Sequence, residues 1–167
     1  ELNEIAATFQ RGGQQNGAPR EFRAELMVKD NPSAEPRPVT VEVNYPLRTS
    51  GITVYLVGHG YAPEFTIRDE SGKVVWEDAS IFLPQDSAFT SSGVIKVPDT
   101  VPQLGIQGFF LPTVSEDFSN GPVSKFPAAD NPEVYISAWQ GDLGLDSGMP
   151  QSVYRLDTEN MKRIGIE

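Results

Sequence analysis

The chain's one histidine, His59, sits between two glycines in Gly58-His59-Gly60. A lone imidazole can serve as a general base or as an axial ligand to haem iron. A Ser–His–carboxylate triad would also need a serine on a sharp strand-to-helix turn, and no G-x-S-x-G occurs. His59 is therefore read first as a structural or turn residue. Asp142 and Asp146 lie in GDLGLDSG, among three glycines. Spaced acids in such a loop can hold Ca²⁺, but the EF-hand needs oxygen ligands at alternate positions, and Leu143 and Leu145 intervene. A solvated turn whose Asp side chains bond their own backbone is the plainer reading. Asp69, Glu70, Glu77 and Asp78 flank one expected hairpin. Glycoside hydrolysis needs two carboxylates facing each other across a cleft, whereas acids at hairpin ends are ordinary. No phosphate loop, dinucleotide fingerprint or metalloprotease helix is present. The residues thus point to no catalytic group.

The large aromatics are the remaining chemistry. Tyr45, Tyr55, Tyr61, Trp76, Phe109, Phe110 and Trp139 fall in strand-like segments. Such residues fill a sandwich core or line a groove for a peptide or flat ligand. Phe109 and Phe110 cannot both point inward from a regular strand, because successive side chains alternate. His59, Tyr61, Phe109 and Phe110, with the glycine-rich loops, are the candidate partner contacts.

The elements that must position these residues are read from apolar periodicity. Glu1–Phe9 suits a short helix or a loose strand. Phe22, Ala24, Leu26 and Val28 alternate with polar neighbours, as do Val39, Val41 and Val43, and each set reads as a half-buried strand. Ile52–Val57 (ITVYLV) is β-branched and nearly all apolar, the pattern of a central strand buried on both faces. Phe65 and Ile67 lead through an Asp69–Gly72 turn to the return strand Lys73–Trp76, with Gly72 at positive φ. Further strands are expected at Val94–Val97, Leu104–Leu111, Glu133–Gln140 and Val153–Leu156. Asp157 is placed to cap a short helix over Thr158–Arg163. The sum is a mainly β fold, an antiparallel sandwich or partly open barrel of short strands with one or two short helices. No linker interrupts it, so residues 1–167 read as one domain.

Composition narrows the partners. Fifteen Gly and 14 Pro among 167 residues favour turns over helices. The net charge of −10 disfavours nucleic acid, and cysteine is absent, which removes disulfides, thiolate metal sites and thiol exchange. No run of 18 apolar residues exists to span a membrane. The abrupt ends suit a piece of something larger.

Four segments, in order, resemble the ResB family of cytochrome c biogenesis proteins, in its actinobacterial branch. They are 43–48 (VNYPLR), similar to the family's VNHPL; 55–63 (YLVGHGYAP); 82–99 (FLPQDSAFTSSGVIKVPD, counted from Phe82); and 141–158 (GDLGLDSGMPQSVYRLDT). The resemblance covers roughly residues 9–166. Tyr45 stands where many relatives carry His, which suggests a structural position. The resemblance implies an extracytoplasmic domain of an integral membrane protein that works with ResC (CcsA) in system II haem attachment to apocytochrome c. It implies haem in the full complex, held by histidines at transmembrane helices, and no haem ligand carried over to this chain. The expected role is non-catalytic binding or positioning of apocytochrome c or ResC at the cell membrane. The alternative is an exported β-sandwich module for a carbohydrate or cell-wall partner.

Overall fold

The computed structural model describes residues 1–115, 117, 119 and 121–165. Among them the chain is antiparallel β, with a single 3₁₀ turn, Leu145–Ser147, and no sheet that closes into a barrel. It falls into two compact units, Glu1–His59 and Gly60–Glu167.

The first unit holds a three-stranded sheet of β1 (Leu2–Phe9), β2 (Pro19–Val28) and β3 (Arg37–Glu42), in that order. The pairings Ile5↔Ala24↔Val41 and Leu26↔Val39 put the apolar alternation on one face, where Ala24 and Val41 are buried. Arg23, Glu25 and Thr40 occupy the other face. Thr40 donates its hydroxyl to Glu25 at 2.8 Å. The N-terminal segment is a strand because its Ala-Ala-Thr-Phe run pairs along β2. A second, two-stranded sheet joins β4 (Leu47–Thr49) to β5 (Ile52–Val54). Ser50 (φ 47) and Gly51 (φ 80) form the tight turn between them, the two-residue hairpin geometry that needs positive φ twice.

This hairpin corrects the sequence expectation. Ile52–Val57 is not a central buried strand: only three of its residues pair, with β4 alone, and Ile52, Val54, Tyr55 and Val57 are exposed. An apolar run describes what would gain from burial. Whether a second layer is there to bury it is a matter of topology.

The second unit holds a five-stranded sheet in the order β12-β11-β10-β9-β8. Its strands are β8 (Leu83–Pro84), β9 (Ser91–Val97), β10 (Gln103–Leu111), β11 (Glu133–Gly141) and β12 (Met161–Ile164). One face is covered by the hairpin of β6 (Glu64–Arg68) and β7 (Val74–Ala79), a two-layer packing of the sandwich kind. Ile95, Val97 and Ile106 form the buried centre, with Phe65, Ile67, Val75 and Trp76 of the hairpin packed on it. The β6–β7 turn follows expectation. Gly72 has φ 84, and the Asp69 carboxylate accepts the amides of Ser71 (2.9 Å) and Lys73 (3.0 Å). The bond from the Ser71 hydroxyl (2.6 Å) leads the effects that hold this carboxyl below its ordinary range.

Two further corrections fall at the C-terminal end. Val153–Leu156 is not a strand, and Thr158–Arg163 is not a helix. Met161–Ile164 pairs instead with Ala138–Gly141 as β12. Asp157 does cap, but it caps a turn: its carboxylate accepts the Glu159 amide at 3.0 Å. Six residues make too short a helix to stand alone, and the free edge of β11 offers Met161–Ile164 a ladder.

Candidate functional site

Alternation along β9, β10 and β11 gives the large sheet an inner and an outer face. The register pairs Ser92 with Phe109 and Val94 with Gln107, then Phe109 with Tyr135 and Gln107 with Ser137. All six side chains therefore share the outer face, away from the β6–β7 hairpin. Further along the same face stand Lys96, Trp139 and Arg163, brought together by the pairs Lys96↔Gly105, Gly105↔Trp139 and Trp139↔Arg163.

Two glycines set the two faces. A Cβ on Gly93 would lie 2.4 Å from the Phe82 ring, so glycine there admits that fully buried ring to the inner face. Phe82 in turn stacks on Phe65, with centroids 5.9 Å apart. A Cβ on Gly105 would lie 2.6 Å from Leu156 and 3.3 Å from Leu143, so Gly105 lets the loop after β11 settle on the outer face. Lys96 Nζ fixes that loop by donating to the Ser152 carbonyl at 2.8 Å.

What remains of the outer face is an open groove of ≈660 Å³. Gln107, Phe109, Tyr135 and Ser137 line it on the sheet side, and Tyr154, Arg155 and Leu156 on the loop side. Tyr154 also borders a neighbouring hollow of ≈320 Å³, between Trp76, Val94 and Lys96. Among the described residues no acidic side chain lines the groove. Glu133 stands nearby and accepts the Tyr135 hydroxyl at 2.7 Å, which raises the Tyr135 pKa. Arg163 donates to Ser137 at 3.1 Å. Arg155, Arg163 and Lys96 thus gather around this face, in a unit that carries sixteen acidic and seven basic residues. Flat aromatic surface, amide and hydroxyl groups and peripheral cations suit binding.

The sequence candidates separate. Phe109 is 45% exposed in the groove, while its neighbour Phe110 is buried on the inner face, as alternation requires. Tyr61 packs on Phe110 (4.9 Å between centroids) and on Phe89 (6.1 Å), and donates its hydroxyl to the Pro127 carbonyl at 2.7 Å. Burial, then the Asp130 charge, raises its pKa. Tyr61 and Phe110 therefore come together, on the opposite side of the sheet from Phe109. Asp142 and Asp146 lie at the far end of β10, beyond the Gln103↔Gly141 pair. Asp142 accepts the Gly144 amide at 2.7 Å, and Asp146 falls in the 3₁₀ turn between Gly144 and Gly148, both left-handed. Among the described residues no three of His, Asp and Glu cluster as a metal site would require. Glu77 and Asp78, adjacent on β7, point to opposite faces of their hairpin. Glu77 accepts the Thr66 hydroxyl at 3.0 Å.

His59 belongs to the first unit. Its ring lies 5.1 Å from that of Phe22 and 5.7 Å from that of Phe9, and both ring nitrogens are buried. Burial lowers its pKa. His59, half-buried, packs against Phe9 and Phe22, which also meet each other edge to face at 6.1 Å.

Sequence reasoning missed Gln107, Ser137, Tyr154 and Arg155. The alternation in Glu133–Gln140 carries the signal for Ser137 but not which face stays open. Tyr154 and Arg155 lie in a loop with no periodicity to read.

The described residues contain no helix long and apolar enough to cross a membrane. No solved structure matches the chain with significance. Among curated proteins it is similar to the cytochrome c biogenesis protein CcsB of Synechococcus sp. (strain RCC307), with 28% identity over 153 residues. The match covers 90% of this chain and 26% of that relative, so the chain spans about a quarter of the relative's length. The ResB-like family model matches residues 1–167, and on that match the chain belongs to the ResB-like family.

Proposed function

We propose that this chain is a non-catalytic binding domain on the extracytoplasmic side of a cytochrome c biogenesis complex in the membrane. Its role is to hold or position apocytochrome c, a ResC-type membrane protein, or both. The observation that carries the reading is the family match over the full 167 residues, supported by the likeness to a CcsB protein. The outer groove of the second unit adds a place for the contact. An extended segment could lie across β9–β11, with its apolar side chains on Phe109 and Tyr135 and its backbone amides and carbonyls within reach of Gln107 and Ser137. In this reading haem is carried elsewhere in the complex, since His59 packs against Phe9 and Phe22 with its ring nitrogens turned from solvent.

Calorimetric titration with an unfolded peptide bearing Cys-x-x-Cys-His tests the reading. Binding is expected, and Phe109→Ser is expected to weaken it about tenfold, the loss of one aromatic anchor. A parallel haem titration is expected to leave the Soret band unshifted. A Soret shift abolished by His59→Ala would instead make the domain a haem carrier. No peptide binding would leave docking to the ResC-type protein as the role.

A further inference from the structure

The outer face of β9–β11 is polarised along its strands. Register sets its side chains in rows that cross the sheet. Phe109 and Tyr135 stand in the first row, Gln107 and Ser137 in the second, Lys96 and Arg163 in the third. Leu156, seated over Gly105 in the third row, brings the exposed Arg155 to the same end. Three of the seven basic residues of this unit thus meet at one end of one face, in a unit with sixteen acids. Among the described residues none of the three is paired with a carboxylate. Lys96 donates to the Ser152 carbonyl at 2.8 Å and Arg163 to the Ser137 hydroxyl at 3.1 Å, while Arg155 has no bonded partner there. Asp157, two residues beyond Arg155, turns its carboxylate to the Glu159 amide at 3.0 Å. At the opposite end Glu133 holds the Tyr135 hydroxyl at 2.7 Å.

We propose that the groove takes an acidic extended segment of a partner protein, one with an aromatic and a carboxylate side chain four residues apart. The ring lies on Phe109 and Tyr135, and the carboxylate meets Arg155 and Arg163, with Lys96 behind them. The inference rests on the binding reading above and adds the chemistry of the occupant. Spacing sets the distance between the two side chains. The first and third rows are four residues apart along β10, from Phe109 to Gly105, or about 13 Å at ~3.4 Å per residue. A ligand equally extended covers that distance in four residues, and an even count turns both side chains toward the sheet. Charge sets the direction. Guanidinium groups with open donors suit a carboxylate, which they bind in a two-pronged fork. Glu133 repels an acid at the aromatic end, so the carboxylate of the ligand has one favoured end. A groove built for a neutral strand needs no such gathering of cations.

Titration of the labelled chain with blocked synthetic peptides, followed by the amide shifts of Gln107 and Ser137, tests this. The peptides lack cysteine and histidine. The first carries phenylalanine and glutamate four residues apart, with polar residues between them, and is expected to bind. Its glutamine counterpart is expected to bind about three- to fivefold more weakly, the range of one exposed ion pair. A peptide with the pair three residues apart turns the two side chains to opposite sides and is expected to do no better than the glutamine peptide. Arg155→Glu is expected to reverse the preference for glutamate and Arg155→Lys to keep part of it, each with an unchanged circular dichroism spectrum. Added salt is expected to erase the preference. Equal binding of the glutamate and glutamine peptides would overturn the proposal, as would binding of neither. So would shifts of the same amides that grow with protein concentration in the absence of peptide, which would assign the face to a second copy. Binding of a Cys-x-x-Cys-His peptide without the glutamate peptide would overturn the acid preference and leave the binding reading intact. Binding of the glutamate peptide alone would support the acidic segment and remove apocytochrome c as its source.

Discussion

The two units bury apolar surface to different degrees. Among the described residues of the first, Ala24, Val41 and Leu47 are the buried hydrophobics, while eight large hydrophobics from Leu2 to Val57 are exposed. The second packs a two-stranded hairpin on a five-stranded sheet around Ile95, Val97 and Ile106. A unit of 59 residues buries a smaller share of its surface than one of 108, so a thin core is partly a matter of size. Phe22, Ala24, Leu26 and Val28 of β2 and Val39 and Val41 of β3 nonetheless alternate along their strands. A regular pattern thus builds a sheet, and a second layer is what turns the sheet into a core.

Charge divides the units in the same way. The first is nearly neutral, and the second carries almost all of the chain's negative charge, yet Arg155 lines its groove, Arg163 bonds the lining Ser137, and Lys96 lines the neighbouring hollow. Solubility explains the acids on the rest of that unit. It does not explain why the described lining of the groove holds none.

The comparison can be broken most forcefully at Phe82. Phe82→Ala is expected to cost the second unit about 3–5 kcal/mol, because the ring fills the space over Gly93 and no neighbour can replace it. Urea denaturation read by amide protection in β9 and β10 measures the loss. A cost below about 1 kcal/mol would mean that the inner layer is not the core described here.

A smaller effect sharpens the account of the first unit. Burial lowers the His59 pKa from its ordinary 6.5, so the folded state resists protonation while the unfolded chain takes up a proton near pH 6.5. Stability of this unit is then full above about pH 6.5 and declines as pH falls through that value. His59→Phe keeps an aromatic ring beside Phe9 and Phe22 and is expected to flatten the decline. Thermal midpoints at pH 7.5 and 5.5 provide the check, and an unchanged slope in the variant would assign the pH dependence to another group.

Much of the fold was legible in the sequence. Strands β2, β3, β6, β7, β10 and β11 follow from alternation and from turn residues such as Asp69 and Gly72. The opposition of Phe109 and Phe110 follows from the pleat alone. The misread segments share a cause. ITVYLV has the composition of a buried strand, and Thr158–Arg163 the caps of a helix, but the first finds one short partner and the second an open sheet edge. Local preference yields to pairing in both. The groove was half legible: Phe109 was named from sequence, whereas Gln107, Ser137, Tyr154 and Arg155 become neighbours only through register and a loop that Gly105 admits.

The central claim is that the outer face of β9–β11 receives the partner. Amide chemical-shift mapping of the labelled chain against an unfolded Cys-x-x-Cys-His peptide tests it most directly. The account predicts perturbations concentrated at Ser92, Gln107, Phe109, Ser137 and Arg155, with the first unit unchanged. Shifts gathered instead around Phe9, Phe22 and His59, or spread over both units alike, would contradict it.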